Sequence, residues 1–188
     1  MRWLMLYARS RQVPTSAAAV ALVALAVWAL DGPGPVDLGI AILVLTANVA
    51  AASVGLGGQD ATLDRTAAIR WMPRRAAHVL LIGAVAGAAL LAVQAAGPKL
   101  APAALVVRDS AGLAGLAALG AVLCGAQFAW TLPTGWLAFS LFGLVPPGIA
   151  GQVGGWMILS PATTASTATA WALLATGTVL YATAGPRR

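Results

Sequence analysis

The chain has 188 residues, of which 60% are hydrophobic and only 9% charged, with a formal net charge of +6. A water-soluble domain carries about 25% charged residues, so this composition excludes a surface covered by solvated side chains and points to one that lipid solvates. The single cysteine, Cys124, excludes an internal disulfide and any multi-cysteine metal site within one chain.

In chain order, residues 1–13 come first. Trp3, Leu4, Tyr7 and Ala8 fall on one side of a helix, with Arg2 and Arg9 on the other. That is the pattern of a helix lying in the membrane interface. A first span is predicted over residues 14–30, opened by Pro14 and ended by Asp31-Gly32-Pro33-Gly34-Pro35. Its apolar stretch is within the length of a signal-peptide core, but the amphipathic segment before it favours retention. A second span covers 36–56 and stops at Gly57-Gly58, a common helix cap. A third covers 76–96 and breaks at Gly97-Pro98, a fourth covers 110–130, and a last one covers 163–184. Each approaches the roughly 20 apolar residues that a crossing requires.

Residues 135–161 are equally apolar but are interrupted by Pro146-Pro147-Gly148, Gly151, Gly154 and Gly155. Broken backbone at membrane depth persists only where protein or a water-filled cavity satisfies its polar groups. The expectation is a short span followed by a re-entrant or interfacial piece; one irregular span with a long outer loop is the alternative. The predicted fold is therefore an all-α integral membrane protein. It is a single transmembrane domain over 1–188 with six transmembrane helices, an N-terminal interfacial helix and a re-entrant element before the last span.

Charge supplies the orientation. Arg2, Arg9 and Arg11 precede the first span; Arg65, Arg70, Arg74 and Arg75 follow the second; Arg187 and Arg188 follow the last. Six crossings with the N-terminus inside place these nine of the eleven basic residues in the cytoplasm and Asp31 and Asp37 outside, which is the positive-inside pattern. The positive charge thus reads as topology, and no nucleic-acid partner is expected.

No Walker-type phosphate loop is present, so the chain is not expected to bind ATP itself. No ionisable side chain falls in the middle of a predicted span, which argues against an ion-coupled pump. The one histidine, His78, sits beside Arg74 and Arg75 and reads as a polar anchor. Asp60 and Asp64 would share a helix face and could hold Mg²⁺ for a pyrophosphate substrate. The second acidic motif of membrane prenyltransferases is missing, however, so neither a metal site nor a catalytic residue is expected. Asn48, Gln94 and Gln127 lie inside spans, where pairing between helices is the expected role; Asn48 and Gln127 are also candidates for a translocation path. Gly83-Ala-Val-Ala-Gly87 is a small-xxx-small motif of the kind an Ala-rich chain produces by chance. Trp28, Trp130, Trp136 and Trp171 lie near span ends, as an aromatic belt would place them.

The segment 57–78 holds six of the sixteen charged residues. Asp60 or Thr62 can cap a short helix running to Met72, after which Pro73 and two arginines open the next span. Leu63, Ala67 and Trp71 cluster on that helix, but Asp64 shares their side. A helix lying on lipid alone segregates better, so this surface reads as one that docks a partner. Asp60, then Thr62-Leu63-Asp64, then Pro73-Arg74-Arg75 resembles the cytoplasmic loop between the second and third spans of type-2 ATP-binding-cassette (ABC) exporters. The tail GWMILSPATTASTATAWALLATGTVLYATAGPRR also resembles bacterial permeases of this kind.

The resemblance implies that 59–75 forms a coupling helix seated in a cleft of a separate ABC ATPase subunit, which binds ATP and Mg. It implies coupling roles for Asp60, Leu63, Asp64, Arg65, Arg70, Trp71, Arg74 and Arg75. It also implies a second permease subunit (the same chain or a paralogue) and a bacterial cell membrane with both termini cytoplasmic. The resulting expectation is a non-enzymatic permease subunit exporting a hydrophobic or amphiphilic substrate. The rivals are a non-transporting scaffold or accessory subunit and, less favoured by the residues, a lipid-modifying enzyme built on Asp60 and Asp64.

Overall fold

A computed structural model describes residues 18–23, 25–26, 38–57, 71–97, 99–143 and 146–187. Every regular element among them is helical. Residues 18–23 and 25–26 are helical and belong to the first predicted span; the expected interfacial helix over 1–13 lies outside the described residues. Six further helices follow: α1 (Leu38–Ser53), α2 (Trp71–Ala96), α3 (Ala103–Leu123), α4 (Thr131–Phe142), α5 (Ile149–Gly154) and α6 (Thr164–Ala184). A 3-10 turn, Val54–Leu56, extends α1, and another, Ala126–Phe128, follows α3.

Three of these are long and apolar enough to cross a membrane: Leu38–Leu56 with 19 residues, Trp71–Ala96 with 26 and Ala103–Leu123 with 21. At about 1.5 Å per residue, each approaches or exceeds the ~30 Å of a bilayer's hydrocarbon core. α6 also has 21 residues, but its threonines make it less apolar, and it is not one of the three. Three of its hydroxyls turn back onto the helix: Thr169, Thr176 and Thr183 each donate to the carbonyl four residues earlier, at 2.7–2.8 Å. α4, with 12 residues, reaches only about 18 Å and cannot cross alone.

The core is built around α3, which packs against α6 most extensively and also against α2, α1 and α4. Small residues make this possible. Gly83 and Gly87 of α2 lie against Ser110 and Ala114 of α3, where an added Cβ would come within 3.1 Å of the Ser110 carbonyl and 2.9 Å of its hydroxyl. The Gly83–Gly87 motif is therefore a helix contact. On the other side of α3, Gly115 and Gly177 bring the α3 and α6 backbones together; a Cβ at either would fall on the facing carbonyl, of Leu173 or Gly115 respectively. In a lipid setting, close backbone approach at small residues is what holds helices together.

These contacts set the directions. Rising numbers in α2 meet falling numbers in α3, so the two are antiparallel; Gly112 meets Ala170 and Gly115 meets Leu173, so α3 and α6 are parallel. α1 ends where α6 ends, because the Tyr181 hydroxyl donates to the Leu56 carbonyl at 2.7 Å. Tyr181 is fully buried, and that carbonyl lies at the end of the 3-10 turn. Tyr181→Phe should accordingly cost about 1–2 kcal/mol, read as a shift in the unfolding midpoint in detergent. An unchanged midpoint would argue against this tie between α1 and α6.

The expected boundaries shift in three places. The described part of α2 starts at Trp71, ahead of the expected 76, with Pro73 in its first described turn. α3 begins at Ala103, seven residues before the expected 110, because Pro102 serves as its N-cap and accepts from the Leu105 and Val106 amides. It then ends at Leu123, and the chain turns through Gly125 at φ 104° before α4. Within 135–161, α4 ends at Phe142 and the six-residue α5 begins at Ile149. α5 lies back on α4: Trp136 donates through Nε1 to the Gly154 carbonyl at 2.9 Å, and Gly154 faces the Phe139 ring. Trp130 and Trp171 are exposed.

Candidate functional site

The directions above gather several helix ends at one end of the bundle: the exit of α1 at Leu56–Gly57, the start of α2, the end of α3 and the tail after α6. The α3 terminus leaves carbonyls without helical donors, and these carry the negative end of the helix dipole. Arg187 answers them. Its amide donates to the Ala121 carbonyl at 2.9 Å and its Nη1 to the Leu123 carbonyl at 3.3 Å. The tail reaches that position through Gly185, whose φ of 74° suits glycine. Arg75 lies against the same glycine, its Nη1 2.8 Å from where a Cβ would sit. At the preceding position in α2, the Arg74 guanidinium stands 5.8 Å from the centre of the Trp71 ring, a cation–π distance.

Trp71, Arg74 and Arg75 are half-buried at the start of α2, so three of the expected coupling residues do share one patch, with Arg187 beside them. The one described carboxylate, Asp109, lies toward the opposite end. Asp60, Leu63, Asp64, Arg65 and Arg70 lie outside the described residues, as does most of the expected coupling segment 59–75. The two path candidates fall in opposite environments. Asn48 is fully buried in α1, and its amide nitrogen and oxygen find no hydrogen-bond partner among the described residues. Gln127 is exposed in the turn after α3, where its carbonyl accepts from the Trp130 indole at 3.1 Å. Gln94 is structural: its Oε1 takes the Ala101 amide at 3.0 Å, joining α2 to the approach of α3.

A second polar cluster was not anticipated. The early start of α3 carries Arg108 and Asp109 inside the helix, about 8 Å from its beginning and short of its middle, whereas the expected span began after them at 110. Both are buried, at 2% and 0% exposure. Arg108 Nε donates to Asp109 Oδ1 at 2.8 Å. Its two terminal nitrogens reach the Ser166 hydroxyl of α6 and the Met157 carbonyl, each at 3.4 Å. Asp109 Oδ2 and the Nε1 of fully buried Trp156 have no partner among the described residues. Adjacent opposite charges at the foot of an apolar run were the available sequence signal, and they read equally well as a break between spans.

Comparison with protein-family models, with characterised proteins and with solved structures found no match for this chain. The class that the fold itself defines is a helical protein with three helices fit to cross a membrane, compatible with a multi-pass membrane protein.

Proposed function

We propose that this chain is the six-helix membrane subunit of an ABC exporter in a bacterial cell membrane. In this reading both termini face the cytoplasm, and ATP and Mg are bound by a separate ATPase subunit. Two such membrane subunits, identical or paralogous, assemble around a path for a hydrophobic or amphiphilic substrate, and the chain itself performs no catalytic step. The observation that supports it is the patch of Trp71, Arg74, Arg75 and Arg187 at the end where α1 leaves the bundle and α2 enters it. A push on that patch would be delivered to α2 and, through Arg187, to the terminus of the central helix α3. The resemblance of residues 60–75 to a coupling loop supplies the partner.

The test is affinity capture of the tagged full-length chain from its native membrane, with ATP hydrolysis measured in the eluate. Arg74→Glu with Arg75→Glu should lower captured hydrolysis at least tenfold, while Lys99→Glu, in the α2–α3 connection at the opposite end, should leave it unchanged. An eluate that holds a partner but hydrolyses no ATP would favour the scaffold reading. One observation leans that way: the centre of the bundle is filled by α3, with Ala114, Ala117, Ala118 and Ala121 fully buried. Any path in the exporter reading therefore lies between subunits.

A further inference from the structure

The polar cluster around Arg108 ties together parts of the chain that nothing else joins in the same way. Residues 149–163 comprise α5, a turn over 155–159 and the approach to α6. Their backbone bonds are local: Gln152 to Gly148 at 3.1 Å, Gly155 to Gly151 at 2.8 Å, Ile158 to Gly155 at 3.1 Å and Thr163 to Ser160 at 2.9 Å. Ties to the rest of the bundle run through side chains. Among the described residues they are Arg108 to the Met157 carbonyl, Trp136 to the Gly154 carbonyl, Thr167 to the Pro161 carbonyl, Ser140 to the Met157 sulfur and, at the α6 root, Ser166 to the Thr163 carbonyl, which also takes the Thr167 amide. A segment bonded in this way can swing without breaking its own backbone pairs. Gly148, at φ 86°, stands at one root and the extended Thr163 at the other.

The underside of the segment fits the bundle closely. The Trp156 ring lies on Gly112, with Cη2 only 2.5 Å from where a Cβ would sit, and Met157 is fully buried beside it. Seating these side chains withdraws Asp109 Oδ2 and Trp156 Nε1 from water without giving either a described partner. Burial of apolar surface thus favours the seated arrangement, while two desolvated polar atoms oppose it. Arg108 decides the balance, since one guanidinium neutralises Asp109 and holds both Met157 and Ser166.

We infer that residues 149–163 form a strap, latched by Arg108 over the end of the bundle opposite the arginine patch, and that it opens as a unit. The inference concerns this fold alone and stands whether the chain exports a substrate or holds a partner. Ser140, buried on α4 against Met157, is the reporter. In a Cys124→Ser background, Ser140→Cys is introduced and the protein is placed in lipid nanodiscs, which leave both faces open to a water-soluble maleimide. With Arg108 and Asp109 in place, labelling should be slow. With Arg108→Met and Asp109→Leu together, which remove the latch and leave no unpaired charge, labelling should be at least tenfold faster. A double variant that keeps the parental elution profile and unfolding transition yet labels at the parental rate would overturn the latch.

Should the double variant not fold, hydrogen exchange on the unaltered protein decides the matter. Amides of 150–159 should then exchange at least tenfold faster than those of α3 and α6, and equal protection would overturn the strap.

Discussion

Arg108→Met alone should destabilise the protein by about 3–5 kcal/mol, while Arg108→Met combined with Asp109→Leu should recover most of that loss. The asymmetry follows from burial. Asp109 is wholly enclosed and its neighbour supplies its one described hydrogen bond. Removing the guanidinium strands a carboxylate away from water, and the cost is that of an uncompensated charge. Removing both partners replaces an ion pair by apolar volume, which such sites tolerate because the pair was itself expensive to desolvate. Unfolding titrations in mixed detergent micelles, run on both single variants and the double, measure the difference. If the double loses as much as Arg108→Met does, the destabilisation comes from packing around α3 and not from charge.

The second large effect belongs to the α3–α6 contact. Gly115→Val should cost about 3 kcal/mol or more, at the upper end of overpacking effects, because its Cβ would meet the Leu173 carbonyl and the Leu174 amide. Both are backbone atoms of a helix, so no rotamer change relieves them. Gly135→Ala is the matched control. It lies in α4 with no heavy atom within 4 Å of the added methyl, and replacing a helical glycine should gain about 0.5–1 kcal/mol. Equal losses from the two substitutions would show that α3 and α6 do not meet at Gly115.

The stops at Gly57 and Gly97 were legible in the sequence because glycine and proline act locally, and so was a helix at Thr164–Ala184, although the span expected over 163–184 is not among the three helices apolar enough to cross. The start of α3 was not. Arg108-Asp109 reads as a polar interruption unless one knows that the two charges satisfy each other and that Ser166, 58 residues away, accepts from the guanidinium. Trp156 was equally hidden, since its burial depends on Gly112 lying opposite. At the arginine patch, the Trp71–Arg74–Arg75 turn could be read from helical spacing. The contact of Arg187 with Leu123, across 64 residues, could not. Pro146-Pro147-Gly148 announced a break, but the way α5 then folds onto Trp136 depends on tertiary contacts.

The parallel course of α3 and α6 carries one more implication, for how the molecule is made. Two neighbouring helices that point the same way require the intervening chain to travel back along the whole bundle, and here that journey is made by a 12-residue helix, a six-residue helix and irregular backbone. Exposed to hydrocarbon alone, the irregular stretches would carry unsatisfied amides, so they cannot settle in a bilayer before α6 arrives to shelter them. In a membrane setting, the leg before the last helix should therefore complete only once that helix is in place, and a ribosome-bound chain halted ahead of residue 164 should still present that leg to proteases.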